Sequence, residues 1–142
     1  MPGPLPDPCP CGRRDRHGAA LAYAACCGRY LDDFERTPAP DAESLMRSRY
    51  AAFVCERAEY LLATWHSSKR PERLDFEPGT RWLGLEVRAH RAVDADHAEV
   101  EFVARQRGRS GAATRLHERS RFMREVGQGG LLRWYYLDGD LR

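Results

Sequence analysis

The chain has one lysine, Lys69, and no apolar run approaching the roughly 18–20 residues that a membrane-spanning helix needs. It also lacks a charge of one dominant sign: 23 basic and 21 acidic residues leave a formal net charge of +2. A dedicated nucleic-acid binder is more lopsided, so that partner class is disfavoured. There are no internal repeats and no low-complexity tail. The stretch Met1–Pro10 is proline-rich without an apolar segment, so no secretory signal is expected and the working compartment is read as the cytoplasm. The remaining basic residues are arginines, which with the many alanines fit a GC-rich bacterial genome. Recognition of phosphate or carboxylate by the planar guanidinium is the functional alternative. No sharp arginine cluster supports it.

What is present suits a folded protein. The 142 residues are 42% hydrophobic and 31% charged, enough for one domain, or one domain with a small appendage. The division falls at Thr37-Pro38-Ala39-Pro40. Residues 1–36 are rich in Pro, Gly, Cys and Arg and lack a hydrophobic period long enough for a core of their own. Residues 37–142 are regular. Asp41 is placed to cap a helix running to about Cys55, with Leu45, Met46, Tyr50, Phe53 and Val54 at helical spacing. A second helix is expected from Arg57 to about Thr64, then a loop marked by Pro71, Pro78 and Gly79.

Strand periodicity follows. Leu83, Leu85 and Val87 alternate with Gly84, Glu86 and Arg88, and Ala98, Val100, Phe102 and Ala104 alternate with more polar neighbours. Two further strands are expected over Thr114–Val126 and Leu131–Leu137, with turns at Val93–Asp96, Gly108–Gly111 and Gly127–Gly130. Two helices before four hairpin-linked strands predict an α+β layer whose helices cover one face of an antiparallel sheet.

Four of the five cysteines, Cys9, Cys11, Cys26 and Cys27, fall in the coreless leader as a Cys-x-Cys and an adjacent pair separated by 14 residues. Zn²⁺ accepts four thiolates tetrahedrally and needs no redox chemistry. A structural zinc contributes roughly 10–16 kcal/mol in comparable small sites, enough to order such a segment. Gly12 and Gly28 follow the two pairs and let backbone amides turn toward the sulfurs. Two disulfides, free thiols and an iron–sulfur cluster are the alternatives. Disulfides need an oxidising compartment, and adjacent ligands crowd a cluster. A closed four-sulfur site has no position for substrate and is read as structural.

Cys9-Pro10-Cys11-Gly12 with Tyr23-Ala24-Ala25-Cys26-Cys27-Gly28 resembles the SEC-C motif, a zinc knuckle best known from the bacterial preprotein translocase motor. The downstream chain is similar to the YchJ family of small bacterial SEC-C proteins. The strings that carry this are Leu45-Met46-Arg47-Ser48-Arg49-Tyr50, Thr64-Trp65-His66, Trp82-Leu83-Gly84-Leu85, Glu101-Phe102-Val103-Ala104-Arg105, Glu118-Arg119-Ser120-Arg121-Phe122 and Trp134-Tyr135-Tyr136-Leu137-Asp138-Gly139. The resemblance implies zinc on all four cysteines. It also implies an N-terminal knuckle (1–36) followed by a ketosteroid-isomerase-like, nuclear-transport-factor-type cone (37–142). It implies no established reaction. Two departures stand out: the Cys11–Cys26 gap is six residues longer than usual, and Arg13-Arg14-Asp15-Arg16 replaces a Ser-Gly-Lys-like stretch. A longer loop costs little, so metal binding should survive. The sequence ends soon after the fourth strand, without the second SEC-C motif of longer relatives.

The candidate pocket residues are Arg49, Trp65, His66, Glu118, Ser120 and Trp134. Leu116, Glu118, Ser120 and Phe122 share one face of the third strand, and a carboxylate there needs a cation or hydrogen bonds. Arg49, on the Leu45/Phe53 side of the first helix, is the natural ion-pair partner. His66 is read as a helix C-cap, with a general base as the alternative. Trp134 and Tyr136 share a face with Tyr135 opposite; with Trp65 and Trp82 they pack the core or floor a ligand pocket. Cys55 is read as a small buried hydrophobe.

The leading functional expectation is a non-enzymatic zinc protein whose knuckle docks a protein partner: by analogy, a chaperone, a translocation component or the ribosome. The cone then serves as scaffold or small-ligand pocket. An enzyme using His66 or Glu118 is the alternative, and it requires both to open onto one cavity. Nucleic-acid binding through Arg13, Arg14, Arg16 and the Gly108-Arg109 loop is the weakest reading.

Overall fold

The computed structural model describes residues 8–142; residues 1–7, most of the proline-rich arm, lie outside the described residues. A 3-10 turn at Tyr23–Ala25 leads into a one-turn helix, α1 (Gly28–Leu31). Two longer helices follow, α2 (Ala42–Val54) and α3 (Ala58–Ala63). Then come four strands, β1 (Arg81–Asp94), β2 (His97–Arg107), β3 (Ala113–Val126) and β4 (Leu132–Leu141). The strands form one antiparallel meander in the order β1-β2-β3-β4. No helix among the described residues is long and apolar enough to cross a membrane.

α2 begins where Asp41 predicts: its Oδ1 accepts the Ser44 amide at 2.7 Å. It ends in a Schellman motif. The Arg57 amide donates to the Ala52 carbonyl at 2.8 Å and the Glu56 amide to the Phe53 carbonyl at 3.3 Å. The residue in the left-handed position is Glu56, at φ 54°, where glycine is usual. α2 and α3 are tied by Ser48, buried, whose hydroxyl sits 2.7 Å from that of Tyr60. The helices cover Ala98, Val100, Phe102 and Ala104 of β2 together with Phe122 of β3.

Bulges explain where simple alternation fails. Trp82 pairs with Gln106 and Gly84 with Arg105, so Leu83 is an extra residue on β1. The phase therefore flips. Trp82, Leu85 and Val87 pack against the core, while Leu83, expected to face inward with Leu85, is 47% exposed. A bulge at Leu137 offsets β4, since Arg121 pairs with Asp138 but Phe122 with Tyr136. Beyond it β4 continues to Leu141, further than the expected Leu137, because Asp138 and Asp140 hold Arg121 at 2.6 and 2.7 Å.

The leader is not isolated from the cone. Tyr23, Tyr30, Leu31 and the four clustered cysteines belong to the same buried cluster as Leu45, Tyr60 and Leu61. Its apolar residues are too few for a core of their own and are buried against the helices instead.

Glu56 offers a test. Glu56→Gly should raise stability by roughly 0.5–1 kcal/mol by relieving the left-handed strain, and Glu56→Ala should give no such gain. Urea unfolding of the three proteins checks it.

Candidate metal centre and cone cavity

The sulfurs of Cys9, Cys11, Cys26 and Cys27 all lie within 4.8 Å of one another, and all four residues are buried. Local backbone structure brings them there. The Cys9 amide donates to the Leu21 carbonyl at 2.9 Å, closing the long loop, whose strands also touch through an Arg14–Ala20 bridge. The Cys26 amide donates to the Tyr23 carbonyl at 3.0 Å, which fixes the second pair at the end of the 3-10 turn. Gly12, at φ 75°, turns the chain after the first pair, and the next amide, of Arg13, donates to Cys11 Sγ at 3.5 Å. Gly28 serves differently. A Cβ there would stand 2.8 Å from both the ring and the carbonyl of Tyr23.

The thiols compete for protons. Hydrogen bonds from Cys26, Cys27 and Cys9 pull Cys11 far below the ordinary thiol range. Hydrogen bonding to Cys11 and the other sulfurs, with burial, pushes Cys27 far above it. Such a set is suited to a cation that removes the protons and shares the charge. The four cysteines can hold a metal ion.

The knuckle is fastened to α2. Arg47 Nη1 donates to the Cys11 carbonyl at 3.0 Å while its Nε pairs with Glu43 at 2.9 Å. Arg13 reaches Ser44 Oγ at 2.9 Å and Glu43 at 3.6 Å. Arg13 is thus committed inside the protein, and Arg14 donates to the Gly18 carbonyl. Arg16 Nε donates to His17 Nε2 at 3.3 Å, so all three leader arginines considered for phosphate binding have internal partners. Cys55, at the C-cap of α2, is half-buried and free; burial pushes its thiol up.

On its other side α2 lines a cavity of about 260 Å³ between the helices and the sheet. Arg49, Trp65, Glu118 and Ser120 all line it. So do Leu116 and Phe122, which share the β3 face assigned to Glu118 by alternation. His66 and Trp134 lie outside this lining. His66 is two residues past the C-cap Thr64 and does not cap α3. Its amide donates to the Tyr136 carbonyl at 2.8 Å, and its ring lies 2.8 Å from Glu125 Oε1 and 2.7 Å from Ser68 Oγ. His66 and Glu118 therefore do not share a cavity. Trp134 packs against the core with the Arg124 guanidinium 5.5 Å above its ring.

The expected Arg49–Glu118 ion pair is replaced by other contacts. Arg49 Nη1 donates to the Leu61 carbonyl at 2.7 Å and to Thr64 Oγ1 at 2.6 Å. The guanidinium lies 4.6 Å from the Tyr136 ring and 5.4 Å from that of Trp65. Burial pulls its pKa down to about 10, so it remains a cation at neutral pH. Helical spacing places Arg49 on the correct face, but the α3 terminus reaches the guanidinium first. Glu118 Oε2 accepts from Ser120 Oγ and, at 3.4 Å, from the Tyr136 hydroxyl.

Tyr136, expected with Trp134 to pack the core or floor a pocket, does line the cavity, from its place opposite Phe122 on β3, and the Leu137 carbonyl accepts the Trp65 indole at 3.2 Å. One cavity determinant was not legible in the strand periods. Gly139 leaves room for the acid, since a Cβ there would lie 2.5 Å from Glu118 Oε2. No sequence period announces a bulge; only Gly139 inside a strand pattern hints at close approach.

Gly28→Ala should destabilise the protein by about 1–3 kcal/mol because Tyr23 must move, whereas Gly108→Ala, with open space around it and no left-handed φ, should cost less. Thermal unfolding of both variants checks this.

A family model described as the YchJ middle, nuclear-transport-factor-like (NTF2-like) domain matches residues 41–139. Among curated relatives, a UPF0225 protein of Polaromonas sp. (strain JS666) is 69% identical over 134 residues, covering 94% of this chain and 93% of that one. One from Methylibium petroleiphilum is 57% identical, covering 96% and 90%. Among solved structures, the crystal structure of a SEC-C motif-containing protein from Psychrobacter arcticus superposes with a TM-score of 0.78 at 32% identity, covering 96% of this chain and 83% of that one. The solution structure of another, from Rhodopseudomonas palustris, gives 0.70 at 31% identity, covering 87% and 94%. With its four-cysteine leader ahead of an α+β cone, the chain belongs to the YchJ (UPF0225) family.

Proposed function

We propose that the protein is a non-enzymatic, cytoplasmic zinc-binding protein. One structural Zn²⁺ shapes the leader into a docking surface for a protein partner, and the cone acts as scaffold and small-ligand pocket. The observation that carries this reading is the convergence of four buried cysteine sulfurs in a segment with no core of its own. Zinc–thiolate bonds of about 2.3 Å place tetrahedral sulfurs about 3.8 Å apart, and Cys11 Sγ and Cys26 Sγ are 3.6 Å apart. Four thiolates fill the coordination shell, so the ion would be structural, with Cys9, Cys11, Cys26 and Cys27 as its ligands. The Arg13 amide on Cys11 would spread the thiolate charge. All five cysteines are free thiols, which suits a reducing compartment.

The docking role rests on the loop between the two cysteine pairs. Residues 14–20 are exposed, and Asp15 organises them by accepting the His17 and Ala19 amides at 2.8 and 3.0 Å. A rigid, exposed loop beside a metal clasp is a surface that a partner can read. A chaperone, a translocation component or the ribosome is the partner class that analogy with other SEC-C knuckles favours.

Native mass spectrometry should show one zinc per chain, and Cys26→Ser should lose it. The variant should melt at lower temperature than the parent, and a strong chelator should lower the parent toward the variant. Affinity capture with the parent and with Cys26→Ser should return different partner sets. A metal-free parent refutes the zinc reading, and identical partner sets refute the docking reading.

A further inference from the structure

The cone cavity contains a polar pair that the metal centre does not use. Arg49 is 7% exposed, and its Nη1 is satisfied by Leu61 and Thr64. Its Nε and Nη2 have no acceptor among the described residues. Glu118, half-buried on β3, uses Oε2 to accept from Ser120 and Tyr136, while Oε1 accepts nothing among the described residues. Both residues line one cavity without closing an ion pair with each other. The cavity therefore presents an unfilled donor edge and an unfilled acceptor oxygen. The surrounding walls are aromatic: Tyr50, Phe53, Trp65, Trp82 and Phe102. Among the described residues only Tyr23 Oη is a sealed polar atom without a partner, so the open edge of Arg49 faces the cavity itself, where a ligand acceptor can take hydrogen bonds that water would otherwise make.

Charge selects among ligands. A carboxylate drawn to Arg49 would meet the charge of Glu118, and an amine drawn to Glu118 would meet that of Arg49. Between apolar walls such repulsion is strong. A neutral group with a carbonyl oxygen beside an N–H satisfies both residues and carries no charge to repel. The walls favour a flat apolar body, and the volume of about 260 Å³ keeps it below drug size.

We propose that the cone binds a small neutral aromatic amide, a carboxamide or lactam, with its carbonyl oxygen on the open edge of Arg49 and its N–H on Glu118 Oε1. The ring lies among the aromatic walls. This site is independent of the zinc reading, since no metal ligand lines the cavity.

The test titrates benzamide, benzoate and benzylamine into the full chain, following the indole N–H signals of Trp65 and Trp82 by NMR. Benzamide should shift both signals and bind about tenfold tighter than either charged probe. Glu118→Gln removes the carboxylate charge while keeping its shape. It should raise benzoate affinity at least about threefold relative to benzamide. Arg49→Met should abolish benzamide binding; because that variant can fail to fold, Glu118→Gln carries the decision. The proposal is overturned if either charged probe binds the parent as tightly as benzamide. It is equally overturned if Glu118→Gln leaves the preference unchanged, or if no probe moves either indole signal.

Discussion

Four buried sulfurs held within 4.8 Å of one another cannot all ionise without a counter-charge, and the protons they keep must be shared among them. The leader accepts this strained arrangement because its backbone permits little else. The Leu21 carbonyl holds Cys9, the Tyr23 carbonyl holds Cys26, and the tyrosine ring leaves space only for glycine at position 28. The cluster in turn decides where the leader can sit. Its Cys11 carbonyl faces α2 and takes Arg47, and Arg13 follows onto Ser44. Remove the sulfur constraint and these contacts lose the geometry that aims them.

α2 is thus a wall shared by two structures. Arg47 and Ser44 face the knuckle, while Met46, Arg49, Tyr50 and Phe53 face the cavity. Residues one or two positions apart on the same helix serve opposite sides, as a 3.6-residue period requires. The hydrophobic stripe is correspondingly broken, with Arg49 and Ser48 both buried in it. A change in the knuckle that tilts α2 would also move the guanidinium edge in the cone.

Much of this was legible in the residues themselves. Asp41 announces α2 because a carboxylate at that position can reach the Ser44 amide. The alternation through β2 and β3 identifies the inward faces correctly, including Glu118 and Ser120. The cysteine spacing brings out the cluster. The rest was hidden by interactions that have no sequence period. One inserted residue at Leu83 reverses which side chains of β1 point inward, and another at Leu137 carries β4 on to Asp138 and Asp140, which hold Arg121. Helical spacing assigns Arg49 to Glu118, yet its guanidinium goes to the carbonyl and hydroxyl at the end of α3, a neighbour created by the chain reversal at Glu56. His66 is expected to cap α3 or to act as a base, yet the helix ends at Thr64, and the same backbone bonds that bring Trp65 inward direct the imidazole toward Glu125.

The Thr64–His66 segment is stitched to β4 by a short parallel bridge: the Tyr136 amide donates to the Thr64 carbonyl at 2.9 Å and the His66 amide to the Tyr136 carbonyl at 2.8 Å. This joins positions about seventy residues apart, across the whole meander. During vectorial synthesis α2 and α3 leave the ribosome early, but Arg49 gains its second aromatic face only when Tyr136 emerges. The nascent cone therefore passes through a stage in which Arg49 is held by the end of α3 and the Trp65 ring alone. The last strand closes a site that the first helices open, so the cone's interior is finished by the final tenth of the sequence.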